Sequence, residues 1–63
     1  MKKNRWFHVA FTYEGSEEIH VDSFELNEDE KACYHTFYEK VDKSLNHYNG
    51  YHAGTIISWS EID

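Results

Sequence analysis

The chain of 63 residues contains no proline, one cysteine and three glycines. Without proline it lacks the strongest loop punctuation, so its turns must be read from glycine and polar clusters. A single thiol, Cys33, rules out an internal disulfide, the usual staple of small secreted domains, and makes a reducing cytoplasm the expected compartment. Bases are scarce: six Lys and Arg stand against twelve Asp and Glu, for a net charge of −6. A surface of that sign repels a phosphate backbone and anionic lipid, so direct binding of nucleic acid or of a membrane surface is not expected. No run approaches the ~20 apolar residues that span a bilayer. The opening "MKKNRWFHVAF" has lysines before an apolar patch. That patch holds His8, lacks a small-residue cleavage site and runs into Glu14, so it does not read as a signal peptide. The length allows one domain, 1–63, and the chain reads as a complete small product.

Eleven aromatics at regular spacings supply a core and argue against disorder. In "WFHVAFTY", Phe7, Val9, Phe11 and Tyr13 alternate with Trp6, His8, Ala10 and Thr12, the period of a strand with one buried face. "EGS" supplies a turn, and "EIHV" resumes the alternation, which predicts a hairpin with odd residues opposite odd ones. After Ser23 the apolar pair becomes Phe24 and Leu26, and a bulge, or the end of the strand, near Asp22 and Ser23 would account for the change of phase. Asn27 and Glu30 stand in the positions of a capping box. Cys33, Tyr34, Phe37, Val41, Leu45 and Tyr48 then form an apolar stripe, and Asn49-Gly50 is a helix stop.

"TIISWSEI" is a last strand that buries either Ile56 with Ile62 or Ile57 with Trp59. The predicted elements are strands near 5–13, 18–26 and 55–62 and a helix near 28–48. They make an α+β fold of two layers: a three-stranded, mainly antiparallel ββαβ sheet of order 2-1-3 with one long helix on one face. Phe7, Val9, Phe11, Ile19, Val21, Phe37, Val41 and Leu45 are the expected core.

Chemistry is hard to find. Five histidines raise the question of metal, with His8, His20 and Asp22 as the nearest grouping, but the chain has no paired-ligand spacing and no metal or cofactor is expected. Cys33 and His35 are two apart on the predicted helix and face away from each other, and no phosphate-binding glycine loop is present. The chain is not expected to be an enzyme.

Two surfaces carry the functional expectation instead. The stretch "EEIHVDSFELNEDE" is half acidic, and no base lies between Arg5 and Lys31. Glu28, Asp29 and Glu30 would suit the first turn of the helix, where the macrodipole favours carboxylates. Glu14, Glu17, Glu18, Asp22 and Glu25 have no such explanation. With Glu28 and Asp29 they form the candidate contact surface for a basic protein. The second surface is the bare side of the sheet, expected to show Trp6, His8, His20, Ile56 and Ser58, which would serve a partner or a homodimer.

In size, charge and element order the chain resembles the small acidic single-domain proteins that bacteriophages encode against host defences: anti-CRISPR proteins, phage antitoxins and restriction inhibitors. The resemblance implies a stoichiometric inhibitor acting in the host cytoplasm, covering a basic, often nucleic-acid-binding, surface of a host protein. The alternative is a self-associating accessory protein whose open sheet face joins two copies.

Overall fold

A computed structural model describes residues 4–62, with the backbone alone at 48 and 49. The elements are β1 (Arg5–Tyr13), β2 (Ile19–Leu26), α1 (Tyr34–Asn49) and β3 (Ala53–Ile62). The sheet order is β2-β1-β3, and β1 runs antiparallel to both neighbours. This is the α+β architecture expected from the alternation and the helical stripe. The helix lies on one face of the sheet. Phe7, Val9 and Phe11 from β1, Leu26 from β2, Phe37, Val41 and Leu45 from α1, and Ala53 and Ile56 from β3 make the core. Phe7 meets Phe37 edge-on at 5.2 Å between ring centres, a favoured aromatic geometry.

The hairpin register differs from the expected one by one residue. Phe7 faces Phe24, Val9 faces Asp22, Phe11 faces His20 and Thr12 faces Ile19, without a break along the strand pair. No bulge forms at Asp22 and Ser23. The turn closes over Tyr13–Ser16, with Gly15 at φ 82, and Glu17 and Glu18 lengthen the connection. Only one set of β2 side chains can face the helix, because strand faces alternate. Phe24 and Leu26 take that face. Leu26 is fully buried, while Ile19 and Val21 are turned outward and stand 60% and 64% exposed. These two are therefore not core residues.

The irregularities fall in β3 instead. Ala10 faces Ser58 but Phe11 faces Ile56, so Ile57 is the extra residue of a bulge. The bulge resolves the ambiguity of this strand by taking one residue from each alternative. Ile56 is buried toward the helix, and Trp59, opposite Val9, lies on the same side with its ring 5.0 Å from Phe37. Ile62, opposite Trp6, is on the open side.

The helix begins later than the capping-box signature implied. The local hydrogen bonds of that signature do form: Asn27 N–H donates to Glu30 Oε1 (3.0 Å) and Asp29 N–H to Asn27 Oδ1 (2.9 Å). They close an isolated turn. The helix starts at Tyr34, with Cys33 in extended conformation before it. The reason is packing. Residues 28–31 are all charged and bury no apolar face, and short helices are held mainly by burial. Glu28, Asp29 and Glu30 thus do not occupy a helical first turn, which contains no acid. Glu30 reaches Lys40 at 3.1 Å and ties this turn to the side of α1. The helix ends as its sequence predicts, with Gly50 at φ 72 donating to Asn46 O. The side chain of Tyr48, on the expected stripe, lies outside the described residues.

Candidate functional site

The acidic residues are all on the surface, but the strand between them divides them. Glu14, Glu17 and Glu18 stand exposed in and beside the hairpin turn. Among the described residues none of the three forms an ion pair. Ser16 Oγ accepts from Glu18 N–H (3.1 Å), and Glu14 N–H donates to His52 O (2.9 Å), which ties the turn to the start of β3. Glu25, Glu28 and Asp29 are at the other end of β2, roughly 23 Å away at ~3.3 Å per strand residue. Asp22 sits between, and its Oδ1 accepts from the N–H of Ser23 at 2.8 Å.

The far end of the acidic run is also partly answered, by an amide donor and by two lysines. Asn4 Nδ2 donates to Glu25 (2.9 Å). A shallow depression wraps the β2 edge from Trp6 past Asp22 and Glu25 to Lys40 and Lys43 of α1. The bases missing from the run itself are thus supplied by the helix. A sequence signal existed in Lys40 and Lys43, but only the placement of α1 brings them alongside. Glu30, accepting from Asn27 N–H and paired with Lys40, is held below the usual carboxylate range.

The open sheet face differs from expectation in two members. Ile56 is buried under the helix. His20 also points to the helix side, stacked on Tyr13 with ring centres 4.3 Å apart and planes 11° from parallel. His8 stays on the open side, where its Nδ1 is 3.3 Å from Ser23 Oγ. His8 and His20 therefore lie on opposite faces and cannot share a metal ion. Among the described residues no cluster of three or more His, Cys, Asp or Glu could hold one.

Trp6 and Ser58 are on the open face as expected, and Trp6 is 48% exposed. The register adds Ile19 and Val21, which the alternation had assigned to the core. The open face therefore runs in rows across the sheet: Glu25–Trp6–Ile62, Ser23–His8–Ser60, Val21–Ala10–Ser58 and Ile19–Thr12.

Beside β2 on the other side, a groove of about 290 Å³ opens between the strand and α1, lined by Phe11, Tyr13, His20, Phe24, Val41 and Leu45 among others. The thiol of Cys33 is half-buried, 3.3 Å from Thr36 Oγ1, and that contact holds it below the ordinary thiol range. His35 is engaged with Glu39 at 3.0 Å. No helix among the described residues is long and apolar enough to cross a membrane.

These features define a small two-layer α+β domain with an acidic hairpin tip and a bare, weakly charged sheet face. No protein-family model matches the chain, and no curated protein and no solved structure is similar to it.

Proposed function

We propose that this chain is a non-enzymatic protein-binding module, a stoichiometric inhibitor that covers a basic surface of another protein. The observation that carries the reading is the hairpin tip. Glu14, Glu17 and Glu18 are exposed together there, without an ion pair among the described residues. Asp22 and Glu25 extend the negative surface along the β2 edge, where Lys40 and Lys43 line the same depression, and Glu28 and Asp29 follow beyond the end of the strand. The tip is thus the strongest part of the field. An acidic surface meets its complement on proteins that bind phosphate backbones, whose contact faces are basic. The resemblance in size, charge and element order to phage-encoded inhibitors implies the same target class, a host protein of bacterial defence or nucleic-acid binding, met in the host cytoplasm.

Charge complementarity acts mainly on encounter and weakens with salt. Affinity capture from bacterial lysate followed by protein identification supplies the target. Association is then measured for wild type and for Glu14→Lys, Glu17→Lys and Glu18→Lys combined. The reversal should leave the circular dichroism spectrum unchanged and slow association by about ten-fold or more at low salt. It should also remove most of the salt dependence. A folded triple variant that associates as fast as wild type at low salt overturns the reading.

A further inference from the structure

We propose that the sheet face opposite α1 is a contact between two copies of this chain, separate from the acidic tip. The argument begins with charge. The chain carries −6, so a second copy is repelled by most of its surface. The open face is the exception. Of the residues that the register places on it, Glu25 is the one carboxylate, at the margin of the face and hydrogen-bonded to Asn4. The centre is the two rows Ser23–His8–Ser60 and Val21–Ala10–Ser58, with Trp6 beyond one and Ile19 beyond the other. Depletion of charge at the centre is the composition of an interface core, and Trp6 adds an aromatic toward one end of the face. A basic partner would be expected to find acids on the surface it covers. Here the unpaired acids are turned off the face to the hairpin tip, so the two surfaces have different chemistry and suit different partners.

Exposure points the same way. Val21 and Ile19 are more than half exposed on a regular strand. Val21 and Ile19 make one apolar group on the face and Trp6 with Ile62 another, with the polar row Ser23–His8–Ser60 between them, and exposed apolar groups set among polar ones mark contact surfaces. Area permits a dimer. Three strands about 4.8 Å apart and eight residues long make a face on the order of 14 by 26 Å. Two such faces together bury roughly 700 Å² in all, below the ~1,000 Å² of a stable specific interface and within the range of a weak, transient one. The dimer is accordingly weak and transient. Burying this face also adds to the thin stability margin of so short a chain.

Salt separates this contact from an ionic one. Two bodies of like charge meeting through a neutral face associate more tightly as salt screens their repulsion. Contact through the acidic tip weakens instead. Sedimentation equilibrium of the full chain, from roughly 10 µM to 1 mM at low and high salt, tests both statements. The wild-type mass should rise with concentration toward twice 7.6 kDa, and more steeply at high salt. Val21→Asp and Ser58→Arg, both at exposed positions, should each weaken the dimer ten-fold or more while Glu17→Lys does not. Thermal melts identify any variant that fails to fold, and either one of the two suffices. A wild-type mass that stays monomeric throughout overturns the proposal. So does a dimer that both folded variants leave intact, or one that salt dissociates. A monomer, or a dimer that both variants leave intact, does not bear on the acidic tip, which has its own partner and its own test.

Discussion

Gly54 is the residue at which the sheet's second irregularity becomes a requirement. The register shifts between Phe11 and Tyr13, so that β1 and β3 draw unusually close. A Cβ on Gly54 would lie 2.8 Å from the carbonyl oxygen of Tyr13 and 3.0 Å from Thr12 Oγ1. The Thr12 hydroxyl is itself committed, accepting from Thr55 N–H at 3.1 Å. Backbone cannot step aside as a flexible side chain does, so Gly54→Ala should destabilise by about 1–3 kcal/mol, read as a lower thermal midpoint. An unchanged midpoint would mean that the strands part easily there.

Asp42 does related work between α1 and β3. Its Oδ1 accepts from Ala53 N–H (3.0 Å) and lies 3.3 Å from His52 Nδ1. The backbone bond first, and His52 second, hold its carboxyl below the ordinary 3.8. A folded pKa below the unfolded one means stability that is complete above the unfolded value and lost as pH falls through the folded one. Glu30 behaves the same way from 4.5 downward. The wild-type midpoint should therefore decline as pH drops below about 4.5. Asp42→Asn keeps an acceptor for Ala53 but does not titrate, so its decline should be shallower. Equal slopes for the two proteins would remove Asp42 from the acid response.

At the scale of elements, the register of β2 is the feature with the clearest consequence. Leu26 is fully buried beside Phe37 and Val41, whereas Val21 stands on the open face. Leu26→Ala should cost about 2–5 kcal/mol, and Val21→Ala within about 0.5 kcal/mol in the monomer. Denaturant titration of both variants decides which set of β2 residues faces the helix. Comparable losses would restore the odd-with-odd register.

The existence, order and type of the elements were legible because they follow from local periods: two in the strands, three to four in the helix. Register was not. Ile19 with Val21 and Phe24 with Leu26 compete for one face of one strand, and a partner sheet face and a helix decide between them. The helix start was misplaced for the same reason. The capping hydrogen bonds at Asn27 and Glu30 are local and form, but the turn they close has no apolar side chain to carry it onward as helix. In β3 the alternation was sound on both sides of Ile57, and the bulge that joins the two phases depends on pairing with β1. Of the candidate site, exposure of the acids was legible, since unpaired charge stays in water. Their division into a tip and a far end was not, nor was the approach of Lys40 and Lys43.

For the whole molecule, charge is the quantity that remains to be placed. A net charge far from zero opposes compactness through self-repulsion. In this chain the described ion pairs of lysine and arginine join separate parts of the fold: Arg5 to Glu61 at 2.9 Å and Glu30 to Lys40 at 3.1 Å. The hairpin tip has none, and Glu14, Glu17 and Glu18 crowd one short connection. If that crowding serves binding and not folding, relieving it should stabilise the monomer. Reversing all three to lysine changes the charge by six units, taking −6 to zero. The variant should melt above wild type in dilute buffer. The difference should shrink as salt rises toward 0.5 M, where the Debye length is only a few Å (about 4 Å). Both proteins must be compared at a concentration low enough to keep them monomeric, since self-association raises the midpoint by mass action. A variant that melts below wild type at every salt concentration would mean that the tip carboxylates support the turn. The acids would then be part of the fold, and the case for an acidic contact surface would lose its principal observation.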